Sequence, residues 1–161
     1  MTQVREIMVE DVVTCGVSDE VSAVARKIRE NDVSGLPVVD EEDRVVGVVS
    51  EADLLSLIER HEEDKNIWLP SPFEAIELPI RAFPWKEWLE DHDIVKDAVE
   101  DIGSQPVSKI MTEKVRTVRP DDTIEKASHV MVSKGINRLP VVENGKLVGI
   151  LTRGDIVQGL A

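Results

Sequence analysis

The sequence predicts an α/β (more broadly α+β) chain made of two copies of one β-α-β-β-α unit. A recurring block of residues, short aliphatic runs and a scarcity of aromatic residues together lead to that prediction. Val4-Arg5-Glu6-Ile7-Met8 returns 103 residues later as Val107-Ser108-Lys109-Ile110-Met111. At the same offset Glu10, Val12, Thr14 and Asp19 meet Glu113, Val115, Thr117 and Asp122, and Leu36-Pro37-Val38-Val39 meets Leu139-Pro140-Val141-Val142. Past the next turn the offset is 102, because Glu41-Glu42-Asp43-Arg44 is one residue longer than Asn144-Gly145-Lys146. A surface turn is where a repeat tolerates such a change. Beyond it Val46-Gly47 matches Val148-Gly149, and Asp53 matches Asp155.

The elements follow in order within each copy. Val12 to Cys15, and Val115 to Val118, read as a short extended lead-in. An acidic helix start comes next; Asp122 with Glu125 three residues on resembles a capping box, with Pro120 ahead of it. The helix carries Val21, Val24, Ala25 and Ile28 in the first copy and Ile124, Ala127 and Met131 in the second, one narrow stripe at helical spacing. Two apolar strands are then joined by a polar turn, Leu36–Asp40 to Val45–Ser50 and Leu139–Glu143 to Lys146–Thr152, as in hairpins. A second helix starts at Glu51 or Arg153. One copy alone has too little cover for its sheet, so the two should pack on each other.

Composition narrows the function. The 161 residues are 42% apolar and only 3% aromatic, so aliphatic side chains must build the core. A formal net charge of -13 repels polyanions. Lys134, Arg138 and Lys146 are too sparse for a nucleic-acid duplex, although enough for one phosphate. Cys15 is the single cysteine, which excludes an intrachain disulfide and fits a reducing compartment. No run resembles a signal sequence or a membrane span, so a cytoplasmic location without membrane contact is expected.

Residues 61–105 form an insert between a first copy at 1–60 and a second at 106–161. All three tryptophans (Trp68, Trp85, Trp88) and both phenylalanines (Phe73, Phe83) fall there, with Pro70, Pro72, Pro79 and Pro84. From 57 to 105 there are 13 acidic and 5 basic residues, which supply most of the net charge. This is not the composition of a flexible linker. The spacing predicts an extended stretch over 70–84, then a helix with Trp85, Trp88, Leu89, Val95, Ala98, Val99 and Ile102 on one face, stopped by Gly103. That face either covers the paired core or meets a partner, since tryptophan is enriched at interfaces.

The pattern V-x-x-I-M, acidic helix start, L-P-V-V, hairpin, V-G-hydrophobic-hydrophobic-[ST]-x-x-D, present twice, resembles the cystathionine-β-synthase (CBS) domain in tandem. The resemblance covers roughly residues 4 to 60 and 107 to 161. It implies a pseudo-two-fold pair with two clefts for adenosine compounds (AMP, ADP, ATP or S-adenosylmethionine). It also implies a regulatory module without catalysis of its own, often a disc-like homodimer.

The residues at the strand-to-helix junctions carry the binding expectation. Ser50-Glu51-Ala52-Asp53 and Thr152-Arg153-Gly154-Asp155 read equally as helix caps. The same geometry offers a phosphate the free N–H groups of a helix start, with the Ser50 or Thr152 hydroxyl as an added donor. Asp53 or Asp155 suits a ribose diol. The resemblance implies that Arg138, just before Leu139-Pro140, faces phosphates; Gly35 replaces it in the first copy. Adenine calls for apolar walls, from Thr14 and Cys15 with Val33, or from Thr117 and Val118 with Ile136. Asn137, Pro140 and Arg153 complete the second set of ligand-binding candidates, and Pro37 the first. Core packing is the competing reading for the apolar members.

A catalytic role finds no support. His61, His92 and His129 are scattered, without metal-ligand spacing, and no nucleophile-base arrangement or phosphate-binding glycine motif is present. No catalytic cofactor or metal is expected. The alternatives are an interaction module with empty clefts, whose insert recruits a regulated protein, and a single-stranded nucleic-acid binder, which the charge disfavours.

Overall fold

In the computed structural model residues 1–57 and 100–161 are described. The first copy runs α1 (Val4–Ile7), β1 (Cys15–Gly16), α2 (Val21–Glu30), β2 (Gly35–Val39) and β3 (Val45–Ser50), followed by helical residues 51–57. The second copy opens on a 3-10 turn (Val107–Lys109) and continues with α3 (Ile124–Lys134), β4 (Arg138–Glu143), β5 (Lys146–Thr152) and α4 (Arg153–Gly159). Among the described residues β1-β2-β3 make one sheet, in that order, and β4-β5 another.

The hairpins and helices fall within a residue or two of their expected bounds; the lead-in strands do not. In the first copy the strand is Cys15–Gly16 alone, and in the second it is one parallel bridge, Val118 to Val141. The helix start also differs. Thr123, not Asp122, caps α3, its side chain accepting from the Lys126 N–H. Asp122 instead closes the preceding turn by accepting from the Arg119 N–H at 2.8 Å, as Asp19 accepts from the Gly16 N–H at 2.9 Å. Adjacent acceptors compete for two sets of orphan amides, and spacing alone does not say which takes which. The β4-β5 turn has Asn144 at φ 53 and Gly145 at φ 78, the left-handed pair that a two-residue hairpin needs.

Two compact units cut across the repeats: residues 1–14, 37–48 and 112–161 form one, and 15–36 with 49–111 the other. In the first unit Val4, from the opening of copy one, is fully buried in a cluster with Val118, Ala127, Met131, Leu139, Val141, Leu151 and Ile156 of copy two. The Val4 N–H donates to Asp122 O at 2.8 Å, and Val9 and Ile150 exchange two backbone bonds of 2.9 Å. In the second unit the same roles are reversed. Val107, from the opening of copy two, is fully buried and donates to Asp19 O at 2.8 Å. Each V-x-x-I-M segment therefore completes the core of the opposite copy, and one such valine is worth about 1.5–3 kcal/mol of burial.

That exchange explains the glycine of Val148-Gly149 in the second copy. A Cβ on Gly149 would sit 2.7 Å from Met8 Sδ and 3.1 Å from the Val9 carbonyl oxygen. While Val9 pairs with Ile150, a side chain there needs Met8 to give way and the Val9 carbonyl to shift by a few tenths of an ångström.

Of the insert, only 100–105 lies among the described residues. Residues 100–103 are helical, with Ile102 buried. Gly103 is the last of these helical residues. The extended stretch, the tryptophans and the phenylalanines lie outside the described residues. No described helix is long and apolar enough to cross a membrane.

Candidate functional site

β4 is the spine of the candidate site in copy two. On one side Val118 runs parallel to it: its N–H donates to Pro140 O at 3.1 Å, and Val142 N–H donates back to Val118 O at 2.9 Å. On the other side β5 is antiparallel, with Arg138 directly opposite Thr152. The Arg153 N–H donates to Asn137 O at 2.9 Å, tying the start of α4 to the start of β4. Thr117, Val118, Ile136, Asn137, Arg138, Pro140, Thr152, Arg153 and Asp155 thus share one compact unit and converge on three adjacent chain ends. Val118 and Pro140 are buried, Ile136, Arg138, Thr152 and Asp155 half-buried, and Thr117, Asn137 and Arg153 exposed.

The junction itself is a complete capping box. Asp155 Oδ2 accepts from Thr152 N–H at 2.7 Å and from Thr152 Oγ1 at 2.8 Å, while Asp155 N–H donates to Thr152 Oγ1 at 3.1 Å. Two consequences follow. The Thr152 hydroxyl proton is committed to Asp155, and the amides of residues 152, 153 and 155 are all engaged. The helix start therefore offers a phosphate less than its sequence suggested. Asp155 Oδ1, by contrast, meets no described hydrogen-bond donor, and a carboxylate oxygen of this kind accepts from vicinal hydroxyls.

In copy one Ser50 and Asp53 repeat the box. Asp53 Oδ2 accepts from Ser50 N–H at 2.8 Å and from Ser50 Oγ at 3.1 Å, and Glu51 N–H donates to Ser34 O at 3.0 Å. Cys15, Val33, Gly35, Ser50 and Asp53 lie in one compact unit; Thr14 and Pro37 fall in the other. Gly35 and Pro37 are buried, and Val33 and Thr14 half-buried. Burial pushes the Cys15 thiol up to about 11; the Asp19 carboxylate adds to this and Lys27 partly opposes it. At neutral pH the Cys15 thiol is therefore protonated.

The expected set passes over Glu51. It stands at the position of Arg153, half-buried at the first helical residue. Aligning S-E-A-D with T-R-G-D reveals it, but only once charge rather than capping is compared. Among the described residues no group of three or more His, Cys, Asp or Glu side chains is placed to hold a metal ion.

The family model of the CBS domain matches residues 4–60 and 107–161. The chain is 43% identical over 97 residues to the uncharacterized protein MJ1426 of Methanocaldococcus jannaschii, a match over 59% of this chain and 54% of that protein. It therefore spans about half the length of that relative. The crystal structure of CBSX2 in complex with AMP aligns with a TM-score of 0.69 at 27% identity, over 99% of this chain and 96% of that one. The CBS domain pair of protein MJ0100, in complex with 5′-methylthioadenosine and S-adenosyl-L-methionine, shares the fold with a TM-score of 0.66 at 20% identity, over 99% of this chain and 96% of that one.

Proposed function

Because the chain belongs to the CBS-domain family and carries the domain twice, at residues 4–60 and 107–161, we propose that it is a regulatory module that binds an adenosine nucleotide at the second copy. The carrying observation is the junction in which Arg138 stands opposite Thr152 while Asp155 keeps Oδ1 open. Ribose hydroxyls donate to Asp155 Oδ1, Arg138 and Arg153 pair with the phosphate, and Ile136, Pro140 and Val118 give adenine an apolar wall beside Thr117 and Asn137. AMP bound to CBSX2, a protein of the same fold, supports this choice of ligand class. ADP and ATP belong to the same class, and S-adenosylmethionine shares the adenosine but carries a sulfonium in place of phosphate.

The division into 1–60, 61–105 and 106–161 is the one we retain for function: two binding copies and an insert that addresses a regulated protein. We read the module as cytoplasmic, as a homodimer and as having no catalysis of its own. Ligand binding biases one arrangement of the chain over another and so changes what a partner meets.

A melting curve taken with AMP tests the reading. At about 100 times its dissociation constant, a ligand that binds only the folded chain adds about 2.7 kcal/mol. For a chain of this size that raises the melting temperature by roughly 5–10 °C. No rise with AMP, ADP, ATP or S-adenosylmethionine at millimolar concentration would leave an interaction module with empty clefts.

A further inference from the structure

We infer that residues 2–9 are a strap that sets the angle between β5 and α4 at the second junction, so that docking of the strap and nucleotide binding at Asp155 strengthen each other. The coupling rests on the reading above that this junction holds an adenosine nucleotide.

Two glycines bracket the junction, and each is the seat of a strap side chain. Gly149 precedes Thr152 in β5, and a Cβ there would lie 2.7 Å from Met8 Sδ. Gly159 follows Asp155 at the end of α4, and a Cβ there would lie 3.1 Å from Ile7 Cγ2. Consecutive residues of one segment thus press on the strand before the junction and on the helix after it. Val9 and Ile150 add two backbone bonds of 2.9 Å on the strand side.

The same segment holds the stretch that follows Thr117 and Val118. The Val4 N–H donates to Asp122 O at 2.8 Å, the Arg5 N–H to Pro120 O at 3.0 Å, and the Ile124 N–H to Thr2 O at 3.1 Å. Arg5 also pairs with Asp121. Val4 lies in the cluster of Val118, Leu139, Leu151 and Ile156, against which Ile7, Met8 and Ile136 pack. The lead-in, β5 and α4 all lean on residues 2–9.

The strap is separable from the core it covers. α1 is a single turn, too short to persist undocked, and among residues 2–9 only Val4 is buried. The segment therefore opens at less cost than the elements beneath it. Opening frees α4 to tilt against β5, and Asp155 then loses its register with Thr152 and Arg138. A ligand that needs all three binds the docked form better, and by linkage it favours docking.

Amide hydrogen exchange of the full chain, with and without AMP at about 100 times its dissociation constant, provides the test. The Val4, Arg5 and Val9 amides should exchange faster than the Met131 amide inside α3, and AMP should slow them by about tenfold to 100-fold. Ile7→Asp, which puts a charge on the Gly159 seat, should weaken AMP and adenosine alike by about tenfold or more, because the strap acts on the ribose anchor. Ile7→Val should stay within about threefold of the native chain. Three results would overturn the inference and leave the adenosine reading intact: strap amides that exchange only together with that of Met131, strap amides that bound AMP slows by less than about twofold, or a folded Ile7→Asp chain that binds AMP within about twofold of the native one. Exchange is read on the native chain, so it decides the matter even where Ile7→Asp does not fold. Failure of AMP and adenosine to bind at millimolar concentration removes that reading and the inference with it.

Discussion

Arg138→Ala should lower the affinity for AMP by about 10- to 100-fold while changing the affinity for adenosine by less than about threefold, because a charge-assisted bond contributes about 1.5–3 kcal/mol and adenosine has no phosphate to make one. The side chain is half-buried at the first position of β4, opposite Thr152. The Thr152 hydroxyl proton and the amides of residues 153 and 155 are already engaged, so the proposed phosphate contact rests on guanidinium charge. Arg138→Lys keeps the charge but not the paired donors, so it should recover only part of the loss. Parallel titrations of the three proteins with AMP and with adenosine check this, and equal losses for both ligands would reassign Arg138 to a structural role.

Gly149→Val should destabilise the fold by about 2–3 kcal/mol, a fall of roughly 5–10 °C in melting temperature. A first carbon at that position already meets Met8 Sδ at 2.7 Å and the Val9 carbonyl at 3.1 Å. Met8 is flexible and can yield. Val9 is held by its two backbone bonds to Ile150 and cannot move without breaking them. Met8→Ala should accordingly recover part, not all, of the cost of Gly149→Ala in a double-mutant cycle. A cost below about 0.5 kcal/mol for Gly149→Val would mean that residues 8–9 do not sit on β5, and the exchange of opening segments would lose its main support.

Local signals were legible in the residues, and long-range ones were not. The stripe Ile124, Ala127, Met131 gave a helix with those side chains buried, and Asn144-Gly145 gave its hairpin, because both patterns are read over a few residues. The [ST]-x-x-D boxes were legible as caps and as candidate binding groups, and the structure adds that capping engages Asp155 through Oδ2. The choice of Thr123 over Asp122 as cap was not legible, since each is an acceptor beside unpaired amides. Nor was the placement of Val4 in the core of the opposite copy: an apolar residue advertises burial, not the partner it will be buried against. Glu51 escaped notice because an acidic residue in the first helical turn is unremarkable until it is set beside Arg153.

The central claim is that the second junction holds an adenosine nucleotide by its sugar and phosphate, and a crystal structure of the full chain grown with AMP tests it most directly. The account predicts the ribose hydroxyls on Asp155 Oδ1, the phosphate between Arg138 and Arg153, and adenine against Ile136 and Pro140. AMP seated away from this junction, or the junction filled by the chain's own side chains with AMP present, would contradict it.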